Sequence, residues 1–291
     1  MQTGQLNEDF PAEYYMEFKK LLHTVAKSPK VIQKMPSDWK GLTAFWPLKG
    51  KRFEKGKGLM VIGQAVNGWD DHPKNPGYGW SPSDIPSISD SIIKSLKRYP
   101  MSWAAMQFGN KQIKKNKNDI KKYYDRNPFN ISDVYNTRWK SPFWRVIHKV
   151  IEAIYNKGID DLWSDHICWS NLYKISPYKK GNPPDWLCEN QIESCVELLR
   201  IEIETWQPNR VLVLTGENWY APPNKKFSFH ERLPKEIRPI ISWRSEDFVQ
   251  GVGYGQQKEQ RWVITRHPRY KKSNETEGKF AEQILEAFEN C

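Results

Sequence analysis

The chain has 291 residues and a formal net charge of +11, with 45 Lys and Arg against 34 Asp and Glu. A chain of this length can bury one sizeable core, or one domain with an elaboration. No apolar stretch is long enough to span a bilayer, and residues 1–5 (MQTGQ) lack the basic-then-apolar pattern of a signal peptide, so we expect a cytoplasmic protein and no membrane partner. Four cysteines are too few and too scattered for a disulfide framework.

The excess of positive charge indicates the class of partner. A basic chain favours a polyanion, with simple solubility as the alternative explanation. The 14 Trp residues add weight to nucleic acid because aromatic faces stack on unpaired bases, although most of these Trp are expected in the core. We therefore expect a nucleic-acid partner, and we expect the chain to act as a monomer.

Hydrophobic periodicity predicts the secondary structure in outline. The predicted segments, in chain order, are an amphipathic surface helix at 10–34, a basic turn at 49–57, a strand at 59–62, helices at about 143–155 and 187–206, and a strand at 210–216. Residues 221–255 are expected to be a long irregular stretch. Within it, the glycine-rich segment 251–255 (GVGYG) is expected to be a flexible turn rather than a phosphate-binding loop, because no helix start follows it.

Three polar clusters each follow a short apolar run. They are residues 63–69 (GQAVNGW), 169–174 (WSNLYK) and 265–270 (TRHPRY). Short β-branched runs are typical of buried strands, so each cluster is expected where a strand ends. Because ligands bind at the carboxyl ends of strands in open α/β sheets, the pattern predicts one pocket built from three distant parts of the chain.

The order of these clusters resembles the uracil-DNA glycosylase superfamily. Its members carry a Gly-Gln or Gly-Glu loop after the first strand, an Asn at the end of a middle strand, and a His-Pro loop near the C-terminus. The segment 140–145 (KSPFWR), the helix at 187–206 and the strand at 210–216 follow in the family's order. The resemblance covers roughly residues 58–72 and 138–288. It implies an α/β fold, a three-layer α/β/α sandwich around a short, mainly parallel sheet.

The resemblance also implies the domain organisation. Residues 1–291 are expected to form a single domain, with an N-terminal helical extension at 1–50. Residues 73–136 have no counterpart in the family pattern and are expected to be an insertion packed near the mouth of the pocket.

The activity that the resemblance implies is that of a monofunctional DNA glycosylase, which flips a nucleotide out of DNA and hydrolyses its N-glycosidic bond to leave an abasic site. Such an enzyme must stack on the base, read its edge and stabilise charge on it as it departs. The family's residues for these tasks match Phe143, Asn171 and His267, with Trp144 as the substitute for the stacking ring. The plainer alternatives are core packing for Phe143, a cap or turn for Asn171, and packing or phosphate binding for His267.

The first loop departs from the family. Gly63 and Gln64 match it, but Ala65 stands where uracil-specific members often have Asp or Asn, and Asn67 stands where a Tyr blocks substituents at the base's C5. Loss of both groups predicts a roomier and more polar pocket. We therefore expect a bulky C5-modified pyrimidine as substrate, such as the glucosylated hydroxymethylcytosine of phages, and we raise antiviral defence rather than ordinary DNA repair as a hypothesis.

The catalytic residues are expected to be Asn67 and His267, supported by Gln64 through its backbone or amide. Asp70 is a further candidate for the missing carboxylate, although the Asp70-Asp71 pair is more typical of a solvated turn. A neutral residue at 67 suffices because the bond breaks before water attacks, so stabilising the departing base matters more than a strong base.

Basic and aromatic residues near the pocket are candidate DNA contacts, and each has an ordinary exposed side chain as its alternative. Arg269 or Tyr270 is expected to fill the space left by a flipped nucleotide. Phosphate contacts are expected from Lys174, Lys179, Lys180, Lys271 and Lys272.

No cofactor or metal is expected. The iron–sulfur members of the family bind their cluster through four Cys, but Ile175 stands at one ligand position and the N-terminal pair is missing, although Cys195 matches another ligand. We expect Cys188 and Cys195 to share one helix. No His or Cys spacing resembles a zinc site.

Two other functions stay open. A catalytically inactive family member would use the same fold to bind DNA or a modified nucleotide, and Ala65 favours this alternative. A nucleoside- or nucleotide-processing enzyme would need only a small-molecule pocket. The net positive charge and the basic residues after His267 count against it.

Overall fold

The computed structural model describes residues 10–65, 79–97, 142–155, 163–178, 181–223, 225–244, 248–255, 260–269 and 276–291. The described helices are α1 (Ala12–Lys27), α2 (Pro29–Lys34), α3 (Ile85–Leu96), α4 (Pro142–Ile154), α5 (Asp185–Trp206), α6 (Glu217–Tyr220), α7 (Phe229–Arg232) and α8 (Glu277–Glu289). The described strands are β1 (Leu42–Ala44), β2 (Leu48–Lys49), β3 (Leu59–Gly63), β4 (Ile167–Asn171), β5 (Ile175–Pro177), β6 (Arg210–Val213), β7 (Ile240–Trp243), β8 (Val249–Tyr254) and β9 (Arg261–Thr265). None of these helices combines the length and the apolar character that crossing a bilayer requires.

The predicted N-terminal helix is two helices. α1 ends before Ser28 and α2 begins at Pro29, because a proline cannot donate the next helical hydrogen bond and moves the residue before it out of the helical region. The hydroxyl of Ser28 then caps α2 by accepting from the Val31 N–H at 3.4 Å. The predicted apolar stripe is confirmed, since Tyr14 and Phe18 are among its fully buried members.

The main sheet has the strand order β2-β4-β3-β6-β9-β8-β7. The four central strands β4, β3, β6 and β9 are parallel to one another. β2 is antiparallel at one edge, and β9, β8 and β7 form an antiparallel meander at the other. The α/β class is therefore confirmed, but the sheet is mixed rather than mainly parallel, because the short connections within the meander permit only antiparallel pairing.

Helices cover both faces of this sheet. On β4, the indole of Trp169 lies edge-on to Trp144 of α4 at a centroid distance of 4.9 Å. The next side chain, Ser170, points the opposite way and hydrogen-bonds Glu202 of α5. α8 packs beside α4, and its Phe280 stacks on Phe248 beside the sheet at 3.6 Å. α1 packs on α5, which contains both Cys188 and Cys195 as predicted.

The stretch 221–255 is not irregular. It contains α7 and the hairpin of β7 and β8, so that expectation was wrong. The glycines of β8 permit close strand packing: a Cβ on Gly253 would lie 2.1 Å from the Ile240 carbonyl oxygen, and one on Gly251 would lie 2.8 Å from a methyl group of Ile241. Segment 251–255 is therefore neither a flexible turn nor a phosphate loop, but the end of a strand that requires glycine.

The N-terminal extension is part of the fold rather than an appendage. β1 pairs with β5 in a small two-stranded sheet, and β2 extends the main sheet. The described part of the predicted insertion, including α3, packs on α1, where Lys19 and Asp90 form an ion pair at 2.8 Å. Residues 98–136 lie outside the described residues, so an approach of the insertion to the pocket mouth stays a prediction.

Candidate functional site

The described parts of the predicted polar clusters lie at the carboxyl ends of strands that share one edge of the sheet, although residues 169–171 still belong to β4. β3, β4 and β9 run in the same direction, so their carboxyl ends share that edge. Gly63 and Asn171 are the last residues of neighbouring strands and occupy matching register positions. His267 follows β9 by two residues. The strand ends therefore meet as the sequence predicted.

Gly63 forms the floor of the site. A Cβ at this position would lie 2.3 Å from Oδ1 of Asn171 and 3.5 Å from Cζ of Phe143. The first of these distances is shorter than any contact a real Cβ makes, so only glycine lets the Asn171 amide lie across the strand end. Three of the predicted substrate-binding residues are thus in contact or nearly so.

Phe143 faces His267 across the site. The two rings have a centroid distance of 6.2 Å and planes that differ by 18°. Phe143 lies in the first turn of α4, with its ring against Trp144 at a centroid distance of 5.1 Å. Trp144 itself is only 2% exposed and packs on Trp169, so it supports Phe143 from behind instead of offering a face to a ligand. Its prediction as the substitute stacking ring is wrong.

The hydrogen bonding of His267 defines its tautomer. The backbone N–H of Arg269 donates to Nδ1 of His267 at 3.1 Å, so the proton of the neutral ring is on Nε2. Burial, and then the positive charge of Arg269, lowers the pKa of His267 from 6.5 to about 4. At neutral pH the side chain is therefore an uncharged hydrogen-bond donor through Nε2.

Asn171 presents a second donor. The residue is 1% exposed, and its Nδ2 has no hydrogen-bond partner in the described part of the chain. A buried amide without a partner costs free energy, on the order of 1–3 kcal/mol. Such a group needs an explanation, and an acceptor supplied by a bound ligand is one.

Gln64 holds the loops around the site together. Its Nε2 donates to the Thr215 carbonyl oxygen after β6 at 2.7 Å, and its Oε1 accepts from Nδ2 of Asn182 at 2.9 Å. The side-chain amide thus joins the end of β3 to two other loops. The predicted role of Gln64 in supporting catalysis stays a prediction. Its partners Thr215 and Asn182 were not predicted, because neither contact is local in sequence.

The predicted phosphate contact of Lys174 is wrong, because its side chain cannot reach a DNA backbone from where it lies. Its side chain is fully buried and forms an ion pair with Glu202 at 2.8 Å. Its Nζ also donates to Oγ of Ser170 at 2.6 Å and to the carbonyl oxygen of Asn171 at 2.7 Å. Tyr14 of α1 donates to the same carboxylate at 2.7 Å. Burial, and then Glu202, raises the pKa of Tyr14 well above 10.

Sequence reasoning missed Glu202 and Tyr14. The signal for Glu202 was present, since it is a charged residue beside Ile201 and Ile203 on a helix whose neighbouring turns are apolar. A charge at a buried helical position needs a partner. The sequence does not reveal that Lys174 is this partner, because the pair is formed by the fold.

Of the remaining predicted site residues, two are described by the structure. Ala65 is half-buried against the core, and Arg269 is exposed beside His267. Seven others lie outside the described residues, so their roles stay predictions: Asn67, Asp70, Lys179, Lys180, Tyr270, Lys271 and Lys272. Within the described ranges, no group of three or more His, Cys, Asp or Glu side chains could hold a metal ion. Cys195 instead accepts a hydrogen bond from the Lys174 N–H.

No protein-family model matches the chain, and no curated protein matches its sequence. Its function is therefore inferred from the chemistry of the site.

Proposed function

We propose that the protein is a DNA glycosylase that accepts a base flipped out of DNA into the site formed by Gly63, Phe143, Asn171 and His267. The net charge of +11 suits a polyanionic partner. The exposed Arg269 lies beside the site, where a phosphate or the gap left by the flipped nucleotide would be. The finer fold assignment, to the uracil-DNA glycosylase superfamily, is part of this proposal.

The relative orientation of Phe143 and His267 is the observation that carries the proposal. A base stacked on Phe143 lies parallel to that ring. The imidazole plane differs from the ring plane by only 18°, so Nε2–H of His267 is directed nearly parallel to the plane of such a base. Carbonyl lone pairs lie in the base plane, which is where a donor binds best. The pair therefore suits a planar ring with a carbonyl at its edge.

Catalysis follows from where charge develops. As the bond between C1′ of the sugar and the base nitrogen breaks, its electron pair moves onto the base and its carbonyl oxygen becomes more negative. The hydrogen bond from Nε2–H of His267 strengthens at that point, so it stabilises the transition state more than the bound substrate. Water then adds its hydroxyl to C1′, and its remaining proton goes to the departing base, which leaves an abasic site.

The substrate we propose is a bulky, C5-modified pyrimidine. Ala65 supports this because a methyl side chain, half-buried against the core, occupies less space than the acid or amide of uracil-specific enzymes. Asn67 is proposed to bind the polar substituent or the attacking water. Removal of such bases would damage phage genomes that carry them, so antiviral defence is the proposed context.

Ala65 also favours a second function. It cannot orient water, so the same site would bind a modified base in DNA without cleaving it. Incubating the protein with DNA that contains uracil, hypoxanthine, hydroxymethylcytosine or glucosylated hydroxymethylcytosine, followed by hot alkali, separates the two functions. Alkali-labile sites in DNA with the bulky bases alone support the glycosylase. Salt-dependent binding of that DNA without labile sites would support the binding module instead.

A further inference from the structure

The buried ion pair of Lys174 and Glu202 takes no part in the chemistry proposed above. Both side chains are fully buried, and the pair lies on the face of β4 opposite Trp169. We propose that Lys174 and Glu202 are positioning residues that fix Asn171 for base recognition. This inference rests on the proposed role of Asn171 as the residue that reads the base.

The ammonium group of Lys174 has three N–H donors, and each has an acceptor. They are Oε1 of Glu202, Oγ of Ser170 and the main-chain carbonyl oxygen of Asn171, at 2.8, 2.6 and 2.7 Å. Since no donor is left over, the ammonium group has one satisfied orientation. It therefore holds the main chain of Asn171 in place.

The carboxylate of Glu202 likewise accepts hydrogen bonds from three donors. It accepts from Lys174, from the hydroxyl of Tyr14 and from the hydroxyl of Ser170. These partners belong to α1, β4 and the loop after β4, while Glu202 itself is on α5. Lys174, which holds the main chain of Asn171, is thereby tied to α5 and to β4, and Tyr14 adds a hydrogen bond from α1 to the same carboxylate without contacting Lys174's other partners.

A contribution to the stability of the fold does not by itself explain why Lys174 and Glu202 form a buried ion pair. The cost of removing two charges from water offsets much of their attraction, and well-packed neutral replacements of such pairs are often as stable. A hydrogen-bonded network does, however, specify one arrangement of its members. On the side chain of Asn171, Oδ1 lies against Gly63. Within the described residues Nδ2 has no hydrogen-bond partner, so an acceptor on a bound ligand would complete the hydrogen bonding of this side chain.

The double substitution Lys174→Met with Glu202→Gln tests the role. It removes both charges together, so neither is left buried alone, and the glutamine oxygen still accepts from Tyr14. We expect the variant to keep its circular-dichroism spectrum and to lose about 100-fold in kcat for abasic-site formation, because small misplacements have effects of that size. The KM for DNA should change little, since the exposed basic side chains that bind phosphate are untouched.

Two controls separate positioning from general stability. Lys226 and Glu189 form an exposed ion pair, with side chains 57% and 23% exposed, so Lys226→Met with Glu189→Gln is the matched double substitution and should leave kcat unchanged. Tyr14→Phe removes one hydrogen bond from Glu202 but keeps the contact of Lys174 with Asn171. We expect it to lower stability and to leave kcat close to the wild-type value.

The side-chain amide signal of Asn171 in ¹⁵N NMR spectra, assigned by its loss in Asn171→Ala, is a readout that needs no activity. We expect one sharp pair of peaks in the wild type and Tyr14→Phe, and shifted or multiple peaks in the Lys174–Glu202 double variant.

If the wild type forms no abasic sites, the proposed function fails, and this spectrum still decides the positioning role. An unchanged Asn171 signal, or a folded double variant with wild-type kcat, would overturn it. If the double variant does not fold, Ser170→Ala replaces it, with the same shifted signal expected and an unchanged one decisive against the role.

Discussion

The imidazole of His267 and the ring of Phe143 lie 6.2 Å apart between centroids, with planes that differ by 18°. One ring comes from the first turn of α4 and the other from the loop after β9. In the proposed function, Phe143 supplies a stacking surface and His267 supplies a hydrogen-bond donor for a single planar ligand. This relationship makes the roles of both residues testable.

Replacing His267 with alanine is expected to lower the rate of abasic-site formation about 100- to 1,000-fold, since it removes one donor from the oxygen that gains charge. Single-turnover kinetics on the best DNA substrate measures this loss. His148→Ala is the matched control, because His148 lies on α4 and pairs with Glu152 at 3.3 Å. Equal rates for His267→Ala and the wild type would show that this histidine takes no part in catalysis.

The ionisation of His267 predicts a pH dependence. Its pKa in the folded protein is about 4, whereas an unfolded histidine titrates near 6.5. Between these values the unfolded chain binds a proton that the folded protein does not. The contribution of His267 to the free energy of unfolding is therefore complete above 6.5 and is lost as the pH falls toward 4.

The neutral donor form of His267 persists through that same range. We therefore expect no fall in activity from this group between about pH 7 and pH 5. Side-chain ¹⁵N NMR measures the pKa and the tautomer directly, with His267→Gln to assign the signals. A titration between about pH 6 and 7, or a proton on Nδ1, would contradict the proposed state of the ring.

Gly63→Ala is expected to abolish base recognition without unfolding the protein. The new methyl group would lie 2.3 Å from Oδ1 of Asn171, so the amide must move away from the site. Gly278→Ala is the control, since its nearest neighbour would be 3.7 Å away and alanine favours helix α8. Abasic-site assays and thermal melts report the two effects separately. Full activity of Gly63→Ala would show that Asn171 does not need its present position.

Gly253→Ala tests the strand assignment of segment 251–255. A Cβ there would lie 2.1 Å from the Ile240 carbonyl oxygen, so β7 and β8 would have to separate. We expect the free energy of unfolding to fall by about 1–3 kcal/mol, the usual cost of overpacking. Urea denaturation measures the change. No loss of stability would mean that the segment is as tolerant as a flexible turn.

The sequence predicted those parts of the fold that depend on local pattern. The central strands and the long helices α4 and α5 lie where periodicity placed them, since buried faces repeat along each element. The hairpin of β7 and β8 was missed because its glycines are typical of turns until their cross-strand neighbours are known. Strand ends and loops were harder to predict than strand centres, because their conformation also depends on neighbours that are distant in sequence.

The candidate site likewise contains residues that the sequence indicated and residues that it did not. Gly63, Asn171 and His267 follow apolar runs, so their sequence positions alone indicated a common edge of the sheet. The ion pair of Lys174 with Glu202 was not predictable from the sequence, because the partners are brought together by packing of α5 on β4. Tyr14 is 188 residues from the carboxylate to which it donates. No local pattern reports such a contact.

The central claim is that this site releases a base from DNA. The most direct measurement is mass spectrometry of the small molecules released from DNA that contains glucosylated hydroxymethylcytosine, with unmodified DNA as control and His267→Ala in parallel. We predict that the wild type releases the intact modified base, in amounts equal to the abasic sites formed, and that unmodified DNA releases none. DNA that is bound but yields no free base would contradict the claim and support a binding module.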